Sequence, residues 1–287
     1  MKKRTFLILI LLIAGLNGRI FAQRDQTEIT LQKLSERLSL VQGGRGANGG
    51  VYIGDNGVLV IDTKMTREAV EQTLSAIGAI TDLPLQYLVN THSDGDHVNG
   101  NQFFPESVSI IAHENCRKEF FHPARDGSPS QWLKPEMSPF IPSVTFKEKL
   151  TLYLGNSRLE LWYFGIGHTT GDAVVYFPDE RIAFIGDMIF ANRPQLIHAY
   201  KGGSSFDYVE TQKKMLNTLD ARLYCSGHAD PVTRETVRSH IENMEQMQTR
   251  IAELIKQNQT LDIIRSAFEE NASRLVEVIY NEIKAAE

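Results

Sequence analysis

Two kinds of hydrophobic pattern alternate along this chain of 287 residues. Short apolar runs bounded by Gly, Pro, Asn and Asp read as strands. Longer stretches with apolar residues at helical spacing read as amphipathic helices. The runs 49–54 and 58–62 flank Asp55-Asn56-Gly57, and Asn-Gly is a strong hairpin signal. The runs 173–177 and 182–185, joined by Pro178-Asp179-Glu180-Arg181, form a second hairpin. One hairpin ends in Asp62-Thr63 and the other in Gly186-Asp187, a weak echo of two similar halves. Residues 66–80 predict a helix with Thr66 as N-cap and Glu68 and Glu71 near its positive end. Residues 206–219 predict a second helix, and Pro231 opens a third that runs to about Lys256. From Leu261 onward the apolar positions (Ile263, Ile264, Ala267, Phe268, then Leu275, Val278, Ile279, Ile283) stay at helical spacing. The pattern predicts an α/β (α+β) chain, a sandwich of two sheets with helices outside.

Chemistry gathers where the strands stop. The apolar run 85–90 leads into Thr91-His92-Ser93-Asp94-Gly95-Asp96-His97-Val98-Asn99-Gly100-Asn101. A polar turn is one reading of that segment, since Asp, Gly, Asn and Ser all form turns. A metal site is the other, since imidazoles and carboxylates so closely spaced suit zinc, iron or manganese better than calcium. Three later segments favour the metal. The run 159–164 is followed by Gly165-Ile166-Gly167-His168-Thr169-Thr170-Gly171-Asp172, the run 182–185 by Gly186-Asp187, and the run 223–225 by Ser226-Gly227-His228. Strands that each deliver His or Asp at the same end converge on one edge of a sheet, where open α/β sheets place their chemistry.

The order H-x-D-x-D-H, G-H-T-x-G-D, G-D, G-H resembles the metallo-β-lactamase superfamily of metal-dependent hydrolases, over about residues 50–228. The resemblance implies a four-layer αββα sandwich of two mixed sheets flanked by helices. It implies two divalent metal ions, zinc before others. One would be held by His92, Asp94 and His168, the other by Asp96, His97 and His228, with Asp187 bridging. A water or hydroxide between the metals is the implied nucleophile, and Asp96 orients it or takes up its proton. Asp96-His97 with a bridging Asp187 looks like the glyoxalase-II type of site. The β-lactamases proper usually carry cysteine or serine near the position of Asp187. Cys225 does not match that cysteine and reads as a small buried apolar residue.

One ligand departs from the superfamily, which usually has histidine where this chain has Asp94. Aspartate is shorter, anionic and harder. Its charge lowers the Lewis acidity of the metal, and its short arm holds the first metal loosely. An acidic residue there also looks like the flavodiiron branch, which binds iron, so iron and manganese enter as metals. The other reading is that Asp94 is not a ligand and one metal alone binds tightly. Thr169, Thr170, Asp172 and Asn99 are the nearby candidates to hold the imidazoles, each equally suited to capping a turn.

Residues 1–22 combine Met1-Lys2-Lys3-Arg4, an apolar stretch and Ile20-Phe21-Ala22. They read as a signal peptide cleaved after Ala22, with an uncleaved anchor as the alternative. A bacterial secreted or periplasmic protein is the expectation, with residues 23–287 as a single domain and a helical extension over about 231–287. Losing Lys2, Lys3, Arg4 and Arg19 takes the formal charge from −5 to −9. That argues against nucleic acid or anionic lipid as partner and leaves a small-molecule substrate. No membrane contact is expected after cleavage. The cysteines, Cys116 and Cys225, make no disulfide framework and predict free, mostly buried thiols.

Residues 122–143 are rich in proline and read as a binding loop or a surface excursion, with Trp132 and Phe140 its apolar face. Residues 192–205 form a second loop, whose Lys201 meets an anionic substrate group or is solvated. His122 and His198 sit in these loops as candidates to line a cleft, His113 ends a strand and opens a helix, and His240 lies solvated on a polar helix. The terminal helices read as a cap on the domain, or else as a homodimer surface or cleft wall. The expected activity is hydrolysis of an ester, thioester, lactone or cyclic amide, β-lactams included, by metal-bound hydroxide. The competing expectations are di-iron redox chemistry and a non-catalytic binding protein with a weakened first metal site.

Overall fold

The computed structural model describes residues 28–124, 126–191 and 193–287. The predicted signal peptide, residues 1–22, lies outside them. The first sheet has seven strands in sequence order: β1 (Thr30–Lys33), β2 (Leu38–Gln42), β3 (Gly49–Ile53), β4 (Val58–Ile61), β5 (Leu85–Val89), β6 (Ser109–His113) and β7 (Val144–Phe146). Strands β1 to β4 run antiparallel, and β4 to β7 are parallel neighbours. The second sheet has six: β8 (Lys149–Leu154), β9 (Ser157–Trp162), β10 (Val174–Phe177), β11 (Ile182–Phe184), β12 (Leu223–Cys225) and β13 (Val232–Thr233). It is antiparallel except where β11 meets β12. The helices are α1 (Arg67–Gly78), α2 (Gly95–Val98), α3 (Glu114–Glu119), α4 (Ser205–Thr218), α5 (Arg234–Lys256), α6 (Leu261–Ser266) and α7 (Ser273–Ala285).

Strand alternation builds the layers. In β4, Leu59 and Ile61 face the second sheet and meet Val175, Phe177 and Phe184 in the central core. Val58 and Val60 point the other way and pack with Ala69, Val70 and Ile77 of α1. Both faces of β4 are therefore buried, so it reads as a continuous apolar run. The outer face of the second sheet, through Val174, Ala183 and Tyr224, is covered by α4, α5, α6 and α7. The result is the predicted αββα sandwich of two mixed sheets. Both predicted hairpins form, with Gly54 N–H closing the first onto Gly57 C=O at 2.9 Å.

Local signals set most helix starts. Thr66 caps α1 by accepting from Ala69 N–H, and His113 ends β6 and caps α3 by accepting from Asn115 N–H. Pro231 does not open the third helix. Val232–Thr233 instead pair with β12, and Thr233 caps α5, because the edge ladder satisfies backbone groups that a helix there would leave open. The stretch after Leu261 is not continuous either, since a 3-10 turn at Glu270–Ala272 separates α6 from α7. His240 is not solvated: its Nε2 is buried without a hydrogen-bond partner. Cys116 and Cys225 are free and buried. Among the described residues, no helix is long and apolar enough to cross a membrane.

Candidate metal centre

Strand ends deliver the functional side chains to one rim of the sandwich. His92 lies three residues beyond β5, Asp187 three beyond β11 and His228 three beyond β12, while His168 sits on the loop between β9 and β10. Asp94 stands at the N-terminus of α2, but its side chain makes no capping hydrogen bond and turns to the imidazoles instead. The seven predicted donors fall into two groups, His92, Asp94, His168 and Asp187, and Asp96, His97 and His228, with donor atoms within 4.8 Å of one another in each. Asp187 touches both. Its Oδ2 is 4.0 Å from His92 Nε2, 3.9 Å from His168 Nε2 and 3.2 Å from His228 Nε2, and its Oδ1 is 3.1 Å from His97 Nε2. Asp96 Oδ2 lies 3.0 Å from His228 Nε2. A side chain at Gly227 would put a Cβ 2.5 Å from Asp187 Oδ1 and 2.6 Å from His97 Cε1, so only glycine leaves this space open.

Three imidazoles have their other nitrogen fixed. His97 Nδ1 is 2.8 Å from Asp62 Oδ2, and His168 Nδ1 is 2.7 Å from Leu196 C=O. The Thr91 hydroxyl donates to Asp62 Oδ2 at 2.7 Å, so His92 Nδ1, 3.1 Å away, donates to Thr91 Oγ1. Asp62 also accepts from Thr91 N–H at 2.8 Å. One buried carboxylate thus orients His97 directly and His92 through Thr91. Each of the three rings presents Nε2 to the interior, and His92 Nε2, His97 Nε2 and Asp187 Oδ1 are buried with no hydrogen-bond partner. Buried polar atoms without partners are costly, and a cation among them would satisfy all three. The donor set therefore fits divalent metal.

Electrostatics lead the same way. Burial alone would lower the pKa of His168, yet Asp94 and Asp187 raise it to about 9, and Asp187 and Asp96 do the same for His228. Burial would raise Asp187, but His97 and His228 hold it well below the usual carboxylate range, and His92, His168 and His198 do so for Asp94. Without a cation, protons on the imidazoles balance the carboxylates. A metal held by these donors would take their place.

A cleft of about 600 Å³ opens beside the donors, lined by Asp94, Asp96, Phe120, Trp132, His198 and Lys201 among others. Trp132 is in its wall, mostly buried and packed on Phe120 at 4.8 Å between ring centroids. His122 lies exposed on the same wall. His198 reaches past the cleft wall to the donors, its Nε2 2.9 Å from Asp94 Oδ2. Lys201, also in the cleft wall, is mostly buried rather than solvated: it donates to Asp94 Oδ1 at 2.6 Å and to Ser93 Oγ at 2.7 Å.

The predicted supports are placed differently. Thr169 and Asp172 bond each other and close their turn, and Asn99 binds Gln131. Thr170 donates to Glu119 at 2.6 Å. The residues that sequence reasoning missed are Asp62, Thr91 and the buried Glu119, which also accepts a short hydrogen bond from Ser93. The repeated strand-then-aspartate endings at Asp62 and Asp187 were a signal for the first of these.

Known proteins share this architecture. The chain is similar to metallo-beta-lactamase type 2 of Bacteroides fragilis, 25% identical over 230 residues, 75% of this chain and 88% of that protein. It is also similar to the 2,4-dinitroanisole O-demethylase subunit alpha of a Nocardioides species, 26% identical over 193 residues, 66% of this chain and 54% of that subunit. The chain thus spans about half the length of that subunit. Among solved structures, a metallo-beta-lactamase from Pontibacter korlensis superposes with a TM-score of 0.63 at 19% identity, over 75% of this chain and 99% of that one. The sequence pattern of the Metallo-beta-lactamase superfamily matches residues 43–228, well over half of the chain, and the protein belongs to that superfamily of metal-binding hydrolase folds.

Proposed function

We propose that this protein is an exported, dinuclear metal-dependent hydrolase that cleaves an ester, thioester, lactone or cyclic amide. The observation that carries the reading is the convergence of seven donors, three of whose atoms, His92 Nε2, His97 Nε2 and Asp187 Oδ1, are buried without a hydrogen-bond partner. His92, Asp94 and His168 would hold one ion and Asp96, His97 and His228 the other, with Asp187 between. When bound, the ions would supply Lewis acidity and bring the pKa of a water from about 15.7 to near 7.

The remaining work falls to the side chains. Asp62, Thr91 and Leu196 C=O fix the imidazoles so that Nε2 stays directed inward. Asp96 borders the cleft and is held ionised: burial opposes this, and the His228 contact overcomes it. Its carboxylate, with Oδ2 3.0 Å from His228 Nε2, orients the attacking water and takes up its proton. Phe120 and Trp132 give the cleft an apolar wall that excludes water from the scissile bond. The basic, apolar N-terminal segment supports export, and zinc suits the four-histidine donor set best.

The test is a panel of nitrocefin, lactones, thioesters, phosphodiesters and 2,4-dinitroanisole, run with zinc-loaded protein and with Asp96→Ala. Turnover of at least one class, lost on chelation and in Asp96→Ala, is expected. Turnover that survives both treatments, or a protein that retains no metal, overturns the proposal.

A further inference from the structure

We propose that His198 is a ligand of the first metal, replacing from another loop the imidazole that Asp94 removes from the metal motif. The inference rests on the metal-dependent reading above and deepens it. Three imidazole nitrogens converge on Asp94 Oδ2: His198 Nε2 at 2.9 Å, His168 Nε2 at 3.0 Å and His92 Nε2 at 3.4 Å. A tetrahedral zinc with bonds of about 2.0 Å spaces its donors about 3.3 Å apart. The three distances to Asp94 Oδ2 stand close to that spacing.

The outer nitrogens of two of these rings are already spoken for. His92 and His168 have each committed Nδ1–H elsewhere, to Thr91 Oγ1 and Leu196 C=O. Without a cation, it takes protons on the imidazoles for these nitrogens to face one carboxylate oxygen. A divalent cation at the point of convergence would take the place of those protons.

The main chain holds His198 in register with His168. His198 N–H donates to His168 C=O at 2.8 Å, and His198 C=O accepts from Lys201 N–H at 2.8 Å and Gly203 N–H at 3.0 Å. Gly203 lies so close that an added Cβ would sit 2.3 Å from His168 C=O. A loop that only roofed the cleft needs no such tie to a ligand's backbone. Lys201 completes the device. By binding Asp94 Oδ1 it leaves Oδ2 to the cation and offsets the carboxylate charge, so three neutral imidazoles set the metal's acidity. This reverses the sequence-based expectation that Asp94 tempers the first metal.

The test is zinc titration by calorimetry on the full mature chain, wild type against His198→Gln and His97→Ala, with thermal melts of the metal-free forms as a folding control. Wild type should bind two zinc ions. His198→Gln should keep the second site and weaken the first by about 100-fold or more, since the outer partners of a ligand alone are worth about 10–100-fold. His97→Ala should do the reverse. Cadmium-loaded wild type with isotope-labelled histidine should show a cadmium–nitrogen coupling at His198. Two sites of unchanged affinity in His198→Gln, or no coupling at His198, overturn the ligand assignment and leave the hydrolase reading standing. A wild type that binds no zinc removes both.

Discussion

Asp62→Asn isolates the part of the centre that local sequence does not reveal. Asp62 Oδ1 accepts from Thr91 N–H at 2.8 Å, and Oδ2 accepts from Thr91 Oγ1 at 2.7 Å and faces His97 Nδ1 at 2.8 Å. An asparagine fits the same space but must turn its NH2 to one side. Facing Thr91 N–H, it sets donor against donor. Facing His97, it forces the imidazole proton from Nδ1 to Nε2, the nitrogen directed at Asp187 Oδ1 3.1 Å away. A hydrogen bond to a charged group contributes about 1.5–3 kcal/mol, or roughly 10- to 150-fold. Outer partners of metal ligands are worth about 10–100-fold in affinity. Zinc affinity should therefore fall about 10–100-fold, measured by competition with a chromophoric chelator at neutral pH. Both sites should weaken, because His92 is oriented through Thr91. Thr91→Val, which removes only that arm, should weaken the first site alone. Affinities within twofold of wild type in a folded Asp62→Asn protein would refute the orienting role.

Further expectations concern stability. In the metal-free protein His168 titrates at about 9, so the fold binds its proton more tightly than the unfolded chain does, at about 6.5. That stabilisation is complete below pH 6.5 and lost as pH rises through 9. Denaturant melts should show the metal-free form losing stability across this window, in which His228 titrates as well, and zinc-loaded protein should not follow it. His240 is the opposite case, since burial lowers it to about 4. Its unfolded form gains a proton first, so stability is full above 6.5 and falls as pH drops toward 4. His240→Phe should flatten that acid limb, and an unchanged slope would sink the assignment. Gly203→Ala must push its loop off His168 C=O, so a loss of about 1–3 kcal/mol and a weaker first metal site are expected in melts and zinc titration.

Much of this molecule was readable along the chain. Runs such as Val58–Ile61 and Leu85–Val89 declare buried strands by composition, and His92, Asp187 and His228 each follow three residues beyond a strand end because the loops there are short. The order of His92, Asp94, Asp96, His97, His168, Asp187 and His228 identified the superfamily and its sandwich before any distance was known. Three-dimensional packing decided the rest. Parallel pairing of Ile61 with Val89 sets Asp62 beside Thr91, and the strand-then-aspartate ending that marks Asp62 does not name that partner. Asp62 adopts a left-handed φ of 55° at that point, a conformation that sequence did not flag. The β12–β13 ladder outweighed the helix-opening signal of Pro231. Sequence offered His198 and Lys201 as cleft residues, and both line the cleft, but the main-chain bond to His168 and the ion pair with Asp94 that tie them to the donors were not legible there. The physical reason is range. Hydrophobic periodicity and turn chemistry act over a few residues, so sequence exposes them. The partner of an imidazole's second nitrogen, or of a carboxylate 107 positions from its lysine, exists only once two sheets have packed and their rims have met.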